Sequence, residues 1–138
     1  MTTATHQKLL NGAWRTASGD DTAAFNSGGV KWFRFEAVEE GDTITEGVEI
    51  GRCVSATFHL GTVEVAPTSN SGVYEIQAGN PDGTWNDIGT TITIEVTTGV
   101  MDSVTISNPP DLLRLKQSGS APDNAEYNIL IEAHPSNV

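Results

Sequence analysis

Apolar and polar residues alternate without a break over residues 91–97, and this pattern constrains the fold more than any other feature of the chain. Ile92, Ile94 and Val96 fall on one side of an extended backbone, and the threonines and Glu95 between them fall on the other. Successive side chains of a strand point to opposite faces, so the segment has one face for a core and one for solvent. It therefore predicts a half-buried β-strand.

The same two-residue period recurs along most of the chain after Val30, and no segment has the apolar period of a helix of useful length. Residues 80–83, Asn-Pro-Asp-Gly, predict a tight turn, because proline presets the backbone at the second position and glycine suits the fourth. The predicted core residues are Phe33, Phe35, Phe58, Ile76, Ile92, Ile94, Leu115 and Ile129. Seven to nine short strands without a helix predict an all-β fold, an antiparallel two-sheet β-sandwich of Ig-like or jelly-roll-like type. A closed barrel is the weaker alternative.

The 138 residues are enough for one domain with a core of its own. Residues 1–29 are the least regular part and are interpreted as an N-terminal arm or edge strand, with residues 30–138 forming the β-sandwich domain. Two alternatives stay open for the first part: an arm that becomes ordered on a partner, or an ordinary first strand over residues 9–14.

The charge balance is acidic, with 18 Asp and Glu against 7 Lys and Arg and a net charge of −11. Binding nucleic acid requires Lys and Arg to neutralise phosphates, so we predict no nucleic-acid partner. The close basic pairs, Lys31 with Arg34 and Arg114 with Lys116, are predicted to lie on solvated strand faces. No secretory or membrane-spanning apolar run is found, which predicts synthesis in a reducing cytoplasm and no membrane partner.

The sequence carries no motif for catalysis, a cofactor or a metal. Cys53 is alone and adjoins an apolar run, so it is interpreted as a small core residue rather than a nucleophile. His6, His59 and His134 have no carboxylate or second histidine at metal-ligand spacing, and Asp20-Asp21 lacks the spacing of a calcium loop. We therefore predict a protein that is not an enzyme, with no catalytic, cofactor or metal site.

Apolar residues outside the predicted core are candidates for contacts with a partner protein. These candidates are Leu9, Leu10, Trp14, Trp32, Leu112 and Leu130. The first three are among the few apolar groups of the N-terminal segment, and the other three fall on the sides of their strands opposite the main apolar face. For Trp32 the alternatives are a strand covered on both faces, a subunit contact and a platform on which sugars stack.

A series of motifs along nearly the whole chain is typical of one class of proteins. The motifs are Leu9-Leu10-Asn11-Gly12, Lys31-Trp32-Phe33-Arg34-Phe35, Tyr74-Glu75-Ile76-Gln77, the segment 82–90, Pro110-Asp111-Leu112-Leu113-Arg114-Leu115 and a terminal strand over 128–133. Their order resembles the small β-sandwich virion proteins of tailed bacteriophages, which include capsid decoration (cement), head-fibre and minor structural proteins. In this pattern Trp85 follows the turn and folds back onto the core.

The resemblance implies a non-enzymatic structural protein of the virion that needs no cofactor. The leading hypothesis is a decoration protein on the outer capsid surface, which binds the major capsid protein and stabilises the phage head. It implies a homo-oligomer, with a trimer as the first expectation because decoration proteins commonly sit on local threefold axes. The alternative is a tail or head-fibre module that recognises host-surface carbohydrate through Trp32 or Trp85.

Overall fold

The computed structural model of the chain describes residues 2–4, 6–10, 13–16, 30–39, 42–119 and 125–135, which form two β-sheets. The strands of sheet A are β1 (Thr2–Ala4), β5 (Asp42–Thr45), β6 (Val48–Glu49), β8 (Gly72–Gly79), β9 (Trp85–Ile94) and β11 (Leu112–Ser118). The strands of sheet B are β2 (His6–Leu10), β3 (Ala13–Thr16), β4 (Lys31–Glu39), β7 (Cys53–Val65), β10 (Val104–Ser107) and β12 (Glu126–Pro135). No helix occurs within the described ranges.

The strands of sheet A follow the order β1-β5-β11-β8-β9, with β6 also beside β11, and those of sheet B follow β10-β7-β12-β4-β2-β3. The pairings among the described strands are antiparallel, except that β1 runs parallel to β5. Nine of the described strands, β4 to β12, come from Lys31 onward. The predicted all-β two-sheet sandwich is confirmed.

The described part of the first 29 residues extends along the edges of the two sheets. β2 pairs with β4 and with β3, where Leu9 lies opposite Trp14, and β1 lies beside β5. Residues 17–29 lie outside the described residues. The division into an arm of residues 1–29 and a sandwich of residues 30–138 therefore stays a prediction.

The core lies between the sheets and contains the inward side chains that the alternation predicts. All eight predicted core residues are buried, each at most 1% exposed. Tyr74 and Tyr127 also lie between the sheets, with their rings edge to face and their hydroxyls 2.5 Å apart in a shared hydrogen bond. Gly72 makes room for this pair, because a Cβ atom at its position would overlap the Tyr127 hydroxyl.

The hairpin between β8 and β9 closes through the turn that the sequence predicts. The Gly83 N–H donates to the Asn80 carbonyl at 3.0 Å, and Gly83 has a φ of +88°, a conformation that favours glycine. The Asp82 carboxylate accepts bonds from the Thr84 hydroxyl and N–H, which lower the pKa of Asp82. The turn prediction is confirmed.

Trp85 does not fold back onto the core, so that expectation is wrong. Its cross-strand partner is Gly79, on the outward side of β8, and this register turns the indole to the outer face of sheet A. The ring is partly exposed and lies over positions that lack side chains: a Cβ atom at Gly47 would come within 2.8 Å of it. The physical reason is register, because the position opposite an outward residue also faces outward.

Candidate functional site

One row of side chains crosses the outer face of sheet B from β10 to β3. We call it the cross-sheet band. It contains Thr105 on β10, Thr57 and His59 on β7, Leu130, Glu132 and His134 on β12, Trp32 and Arg34 on β4, Gln7 and Leu9 on β2, and Trp14 on β3. Since neighbouring strands lie about 4.8 Å apart, a band over six strands is about 24 Å wide.

Glu132 is held between two histidines in the band. His59 Nε2 lies 2.9 Å from Oε1 of Glu132, and His134 Nε2 lies 2.6 Å from Oε2. These hydrogen bonds, that of His59 before that of His134, lower the pKa of Glu132. Both oxygens of the carboxylate therefore have a partner within the chain, although the three side chains keep about a quarter to two fifths of their surface exposed.

Ser103, in the loop before β10, extends this cluster. Its hydroxyl lies 2.9 Å from His59 Nδ1, so Ser103, His59 and Glu132 follow the order of a serine–histidine–carboxylate triad. The imidazole is reversed, because catalytic triads of the serine proteases present Nε2 to the serine and Nδ1 to the carboxylate. Water also reaches these side chains and competes for their bonds. The arrangement fits a fixed polar surface better than a nucleophilic centre.

In the part of the chain that the structure describes, no group of three or more His, Cys, Asp and Glu side chains could hold a metal ion. The carboxylate partner that His59 and His134 share is not among the residues predicted from the sequence. The contact of His134 with Glu132 could have been predicted, because these residues are two positions apart in a predicted strand and so share a face. His59 comes from another strand, and only the register of β7 with β12 brings it to Glu132. The side chain of His6 lies outside the described residues.

Arg34 lies over an indole ring rather than on a solvated face, contrary to the sequence prediction. Its guanidinium carbon is 4.6 Å from the centroid of the Trp14 ring, and its Nε donates to Oε1 of Gln7 at 2.7 Å. A cation over an aromatic face is attracted by the negative charge of that face. Trp32, two residues before Arg34, has its ring centroid 6.0 Å from that of His59.

A similar arrangement occupies the outer face of sheet A. The Arg114 guanidinium lies 4.4 Å from the centroid of the Trp85 ring, and Nε donates to Oε1 of Gln77 at 2.8 Å. Gln77 in turn donates from Nε2 to Oδ1 of Asp87 at 2.7 Å. The hydrogen bond with Asp87 and the charge of that group raise the pKa of Glu75. Arg114 is therefore part of a network, and the sequence prediction of a solvated side chain is wrong here too.

The structure gathers four of the six predicted partner-binding residues in the cross-sheet band: Leu9, Trp14, Trp32 and Leu130. Leu112 lies on the outer face of the other sheet, against Gly79, where a Cβ atom would come within 2.5 Å of it. Leu10 is in β2, but its side chain lies outside the described part of the chain. These assignments to partner contacts stay predictions.

Cys53 is buried, as interpreted from the sequence. Its thiol donates to the Ile50 carbonyl at 3.6 Å, and 7% of the residue is exposed. Burial raises the pKa of the Cys53 thiol, and the nearby charge of Lys31 opposes this shift. A protonated, buried thiol is a poor nucleophile.

Comparison of the chain with models of protein families gave no match, and comparison with curated protein sequences gave none either. Over the ranges that the structure describes, no helix has the length and apolar character needed to cross a membrane. The two outer faces of the sandwich are therefore the candidate functional surfaces.

Proposed function

We propose that this protein is a non-enzymatic structural component of the virion of a tailed phage, which decorates the outer capsid surface and stabilises the head by binding the major capsid protein. The observation that carries the proposal is the pair of arginine-stacked tryptophans, one on each outer face. The rings of Trp14 and Trp85 are partly exposed. Arg34 lies over the first ring and Arg114 over the second, so contacts within the chain hold both rings in position. Rings that are already ordered lose little entropy when a partner covers them.

The phage context comes from the order of the motifs, which resembles that of small β-sandwich virion proteins, and an all-β sandwich is the fold that the resemblance implies. A decoration protein acts by covering surface, which requires a stable body and partly apolar outer faces. The buried core and the two tryptophan-bearing faces meet these requirements.

The outer face of sheet A is the proposed contact with the capsid. Leu112 and Trp85 provide apolar area, and Arg114, Lys116 and Asp87 provide charges of both signs around it. Apolar area with a polar surround is the usual composition of a protein interface. The outer face of sheet B is left for contacts with further copies of the chain.

The first test is the location of the protein in particles of the phage that encodes it. Electron cryomicroscopy should show it in hundreds of copies on the outside of the head. A few copies confined to the tail would contradict the proposal.

The second test is binding to undecorated capsids, measured by cosedimentation. Replacing Leu112 with Asn should weaken binding at least tenfold, about 1.4 kcal/mol, because it removes apolar area from the contact. The control Val100→Asn changes a side chain that is 58% exposed in a loop, and it should bind as the wild type does. Equal binding by the two variants would show that the outer face of sheet A does not contact the capsid.

Trp32 favours a second candidate, a tail or head-fibre module that recognises host-surface carbohydrate. Its ring lies beside His59, and Glu132 is its cross-strand neighbour. The C–H face of a sugar stacks on an indole, and a carboxylate accepts bonds from its hydroxyls. Binding of host glycans in an array, abolished by Trp32→Ala, would favour this candidate over decoration.

A further inference from the structure

Three neighbouring strands of sheet A build one unit around Arg114. Arg114 on β11 lies opposite Gln77 on β8, and Trp85 on β9 pairs with Gly79, two residues after Gln77. The arginine donates from Nε to Oε1 of Gln77 at 2.8 Å, and its guanidinium lies over the indole. We call these three side chains, Arg114, Gln77 and Trp85, the sheet A unit.

The same arrangement recurs on the outer face of sheet B. Arg34 on β4 lies opposite Gln7 on β2, and Trp14 on β3 pairs with Leu9, two residues after Gln7. Here too Nε of the arginine donates to Oε1 of the glutamine, and the guanidinium lies over the indole. The two sheets thus place an arginine, a glutamine and a tryptophan at the same relative register positions.

Both arrangements leave the terminal nitrogens of the arginine uncommitted. In the described part of the chain, the side chains of Arg34 and Arg114 make one hydrogen bond each, through Nε, and neither makes an ion pair. The chain has 18 acidic residues against 7 basic ones, so carboxylates within the chain are plentiful. A guanidinium also carries N–H donors on both Nη atoms, and these remain available to a partner.

Gln77 holds the guanidinium of Arg114 in position. Gln77 is buried, 5% exposed, and its Nε2 donates to Oδ1 of Asp87 at 2.7 Å. This bond lowers the pKa of Asp87, so the carboxylate stays charged and can only accept. The amide of Gln77 therefore turns its oxygen toward Arg114, which can only donate. The guanidinium is bonded through Nε and stacked on one face before any partner arrives.

We infer that the sheet A unit binds a carboxylate of the protein that covers this face, through both Nη atoms of Arg114. The inference rests on the proposed contact of sheet A with the capsid, and it adds the chemistry that the capsid must offer there. Several charged side chains of sheet B, among them Lys8 and Glu36, lie outside the described residues, so the inference concerns sheet A.

The need for a carboxylate follows from covering the face. A partner that covers Arg114 removes water from the guanidinium, and a buried charge without a partner is strongly destabilising. Over the described ranges the chain offers no acceptor to the two Nη atoms, so the partner must supply it. The paired N–H groups of a guanidinium match the two oxygens of a carboxylate, and such bidentate bonds are strong. A guanidinium that is already held in place also loses little entropy on binding.

The other charges of this face favour a carboxylate over the phosphates of a nucleic acid. Acidic side chains lie on the neighbouring strands and in the loop before β6; they are Glu46, Glu49, Glu75 and Asp87. They weaken the attraction of the face for anions at long range, so only a group in direct contact with Arg114 gains from its charge. Lys116 is the one further cation on β8, β9 and β11, whereas nucleic acid needs many Lys and Arg for its phosphates.

The first part of the experiment is cosedimentation of the full chain with undecorated capsids in about 0.15 M salt. Arg114→Lys keeps the positive charge but lacks the paired N–H groups, so its Kd should be at least about tenfold above that of the wild type. Arg52→Lys is the matched control, because Arg52 is exposed in the loop before β7, and its Kd should stay within about twofold of the wild type. Thermal melts followed by circular dichroism check that both variants are folded.

Blocking the carboxylates of the capsid separates binding of a carboxylate from packing against Trp85. Carbodiimide with glycinamide converts accessible carboxylates to neutral amides. A protein of net charge −11 should then bind more tightly if only general electrostatics acts, because the shell has lost negative charge. The inference predicts the opposite for the wild type, a Kd at least about tenfold higher on blocked capsids. The Kd of Arg114→Lys should change by less than about threefold, since this variant has already lost the paired bonds.

Three results would overturn the inference. They are binding of Arg114→Lys as tight as that of the wild type, an equal loss for Arg52→Lys, and wild-type binding to blocked capsids that is at least as tight as to untreated ones. Each of them leaves the capsid proposal in place, because the wild type still binds capsids. A wild-type protein that binds no capsids contradicts the proposed function itself, and the inference falls with it.

Discussion

Replacing Gly72 with alanine is expected to lower the free energy of unfolding by about 1–3 kcal/mol, the usual cost of overpacking a core. The added methyl group would overlap the hydroxyl of Tyr127. The φ of Gly72 lies outside the left-handed region, so the cost is steric and not a matter of backbone conformation. The prediction follows from the space that the two buried tyrosines take between the sheets.

A second substitution separates this overlap from other effects. Tyr127→Phe alone should cost about 1 kcal/mol, because it removes the hydrogen bond with Tyr74. In the double variant Gly72→Ala/Tyr127→Phe the overlapped oxygen is gone. The next atoms, Tyr127 Cζ at 3.2 Å and Tyr74 Cε2 at 3.3 Å, need to move only slightly. The double variant should therefore lose at least about 1 kcal/mol less than the sum of the single losses.

Urea titrations followed by far-UV circular dichroism measure the four free energies of this cycle. Gly79→Ala provides the control, because Gly79 lies seven residues further along β8, about 23 Å away, and its methyl group would meet Leu112 instead. Gly79→Ala and Tyr127→Phe should add to within about 0.5 kcal/mol. Additive losses for the Gly72 and Tyr127 pair would refute the reasoning.

Three further predictions concern single side chains. Trp85→Ala should cost about 1–2 kcal/mol in urea titrations, against about 3–5 kcal/mol for Phe58→Ala, because the indole is partly exposed and the phenyl ring is fully buried; equal losses would place Trp85 in the core. The Cys53 thiol should not react with Ellman's reagent at pH 8 until urea unfolds the chain, since burial raises its pKa, and fast labelling of the folded protein would contradict this. Asp87 raises the pKa of Glu75, so the folded state is stabilised when Glu75 is protonated. This stabilisation is lost as the pH rises through the raised pKa and Glu75 becomes charged beside Asp87. Glu75→Gln should accordingly raise the Tm at pH 7, and this gain should vanish at pH 4; a lower Tm at pH 7 would show that the carboxyl pair is not repulsive.

The sandwich and its core could be predicted because the alternation of apolar residues reports directly which face of a strand is buried. Phe33, Phe58 and Ile129 were assigned to the core in this way, and each is buried. The expectation that Trp85 folds back onto the core rests on its place after the turn in the series of motifs. Its actual side depends on pairing with Gly79, and pairing is not visible in the local pattern.

The candidate site could be predicted only in its parts. Alternation puts Trp32 and Leu130 on outward faces, but it does not tell which outward residues become neighbours. The two residues Glu132 and His59 are 73 positions apart and meet through the register of β12 with β7. Arg34 and Trp14 meet because β2 and β3 are added beside β4. Long-range pairing of strands was the missing information in both cases.

The place of β12 in sheet B also bears on how the protein is made. A ribosome delivers β4 and β7 early, yet the strand that joins them is translated last of the described strands. Until residues 126–135 emerge, β4 and β7 lack the strand that pairs with both of them, and the nascent chain exposes these unpaired strand edges to chaperones and to other nascent chains. A ribosome that stops before this strand would release a polypeptide with a gap in the middle of a sheet, not a smaller sandwich. Folding of the sandwich is therefore completed only after nearly all of the described chain has been synthesised.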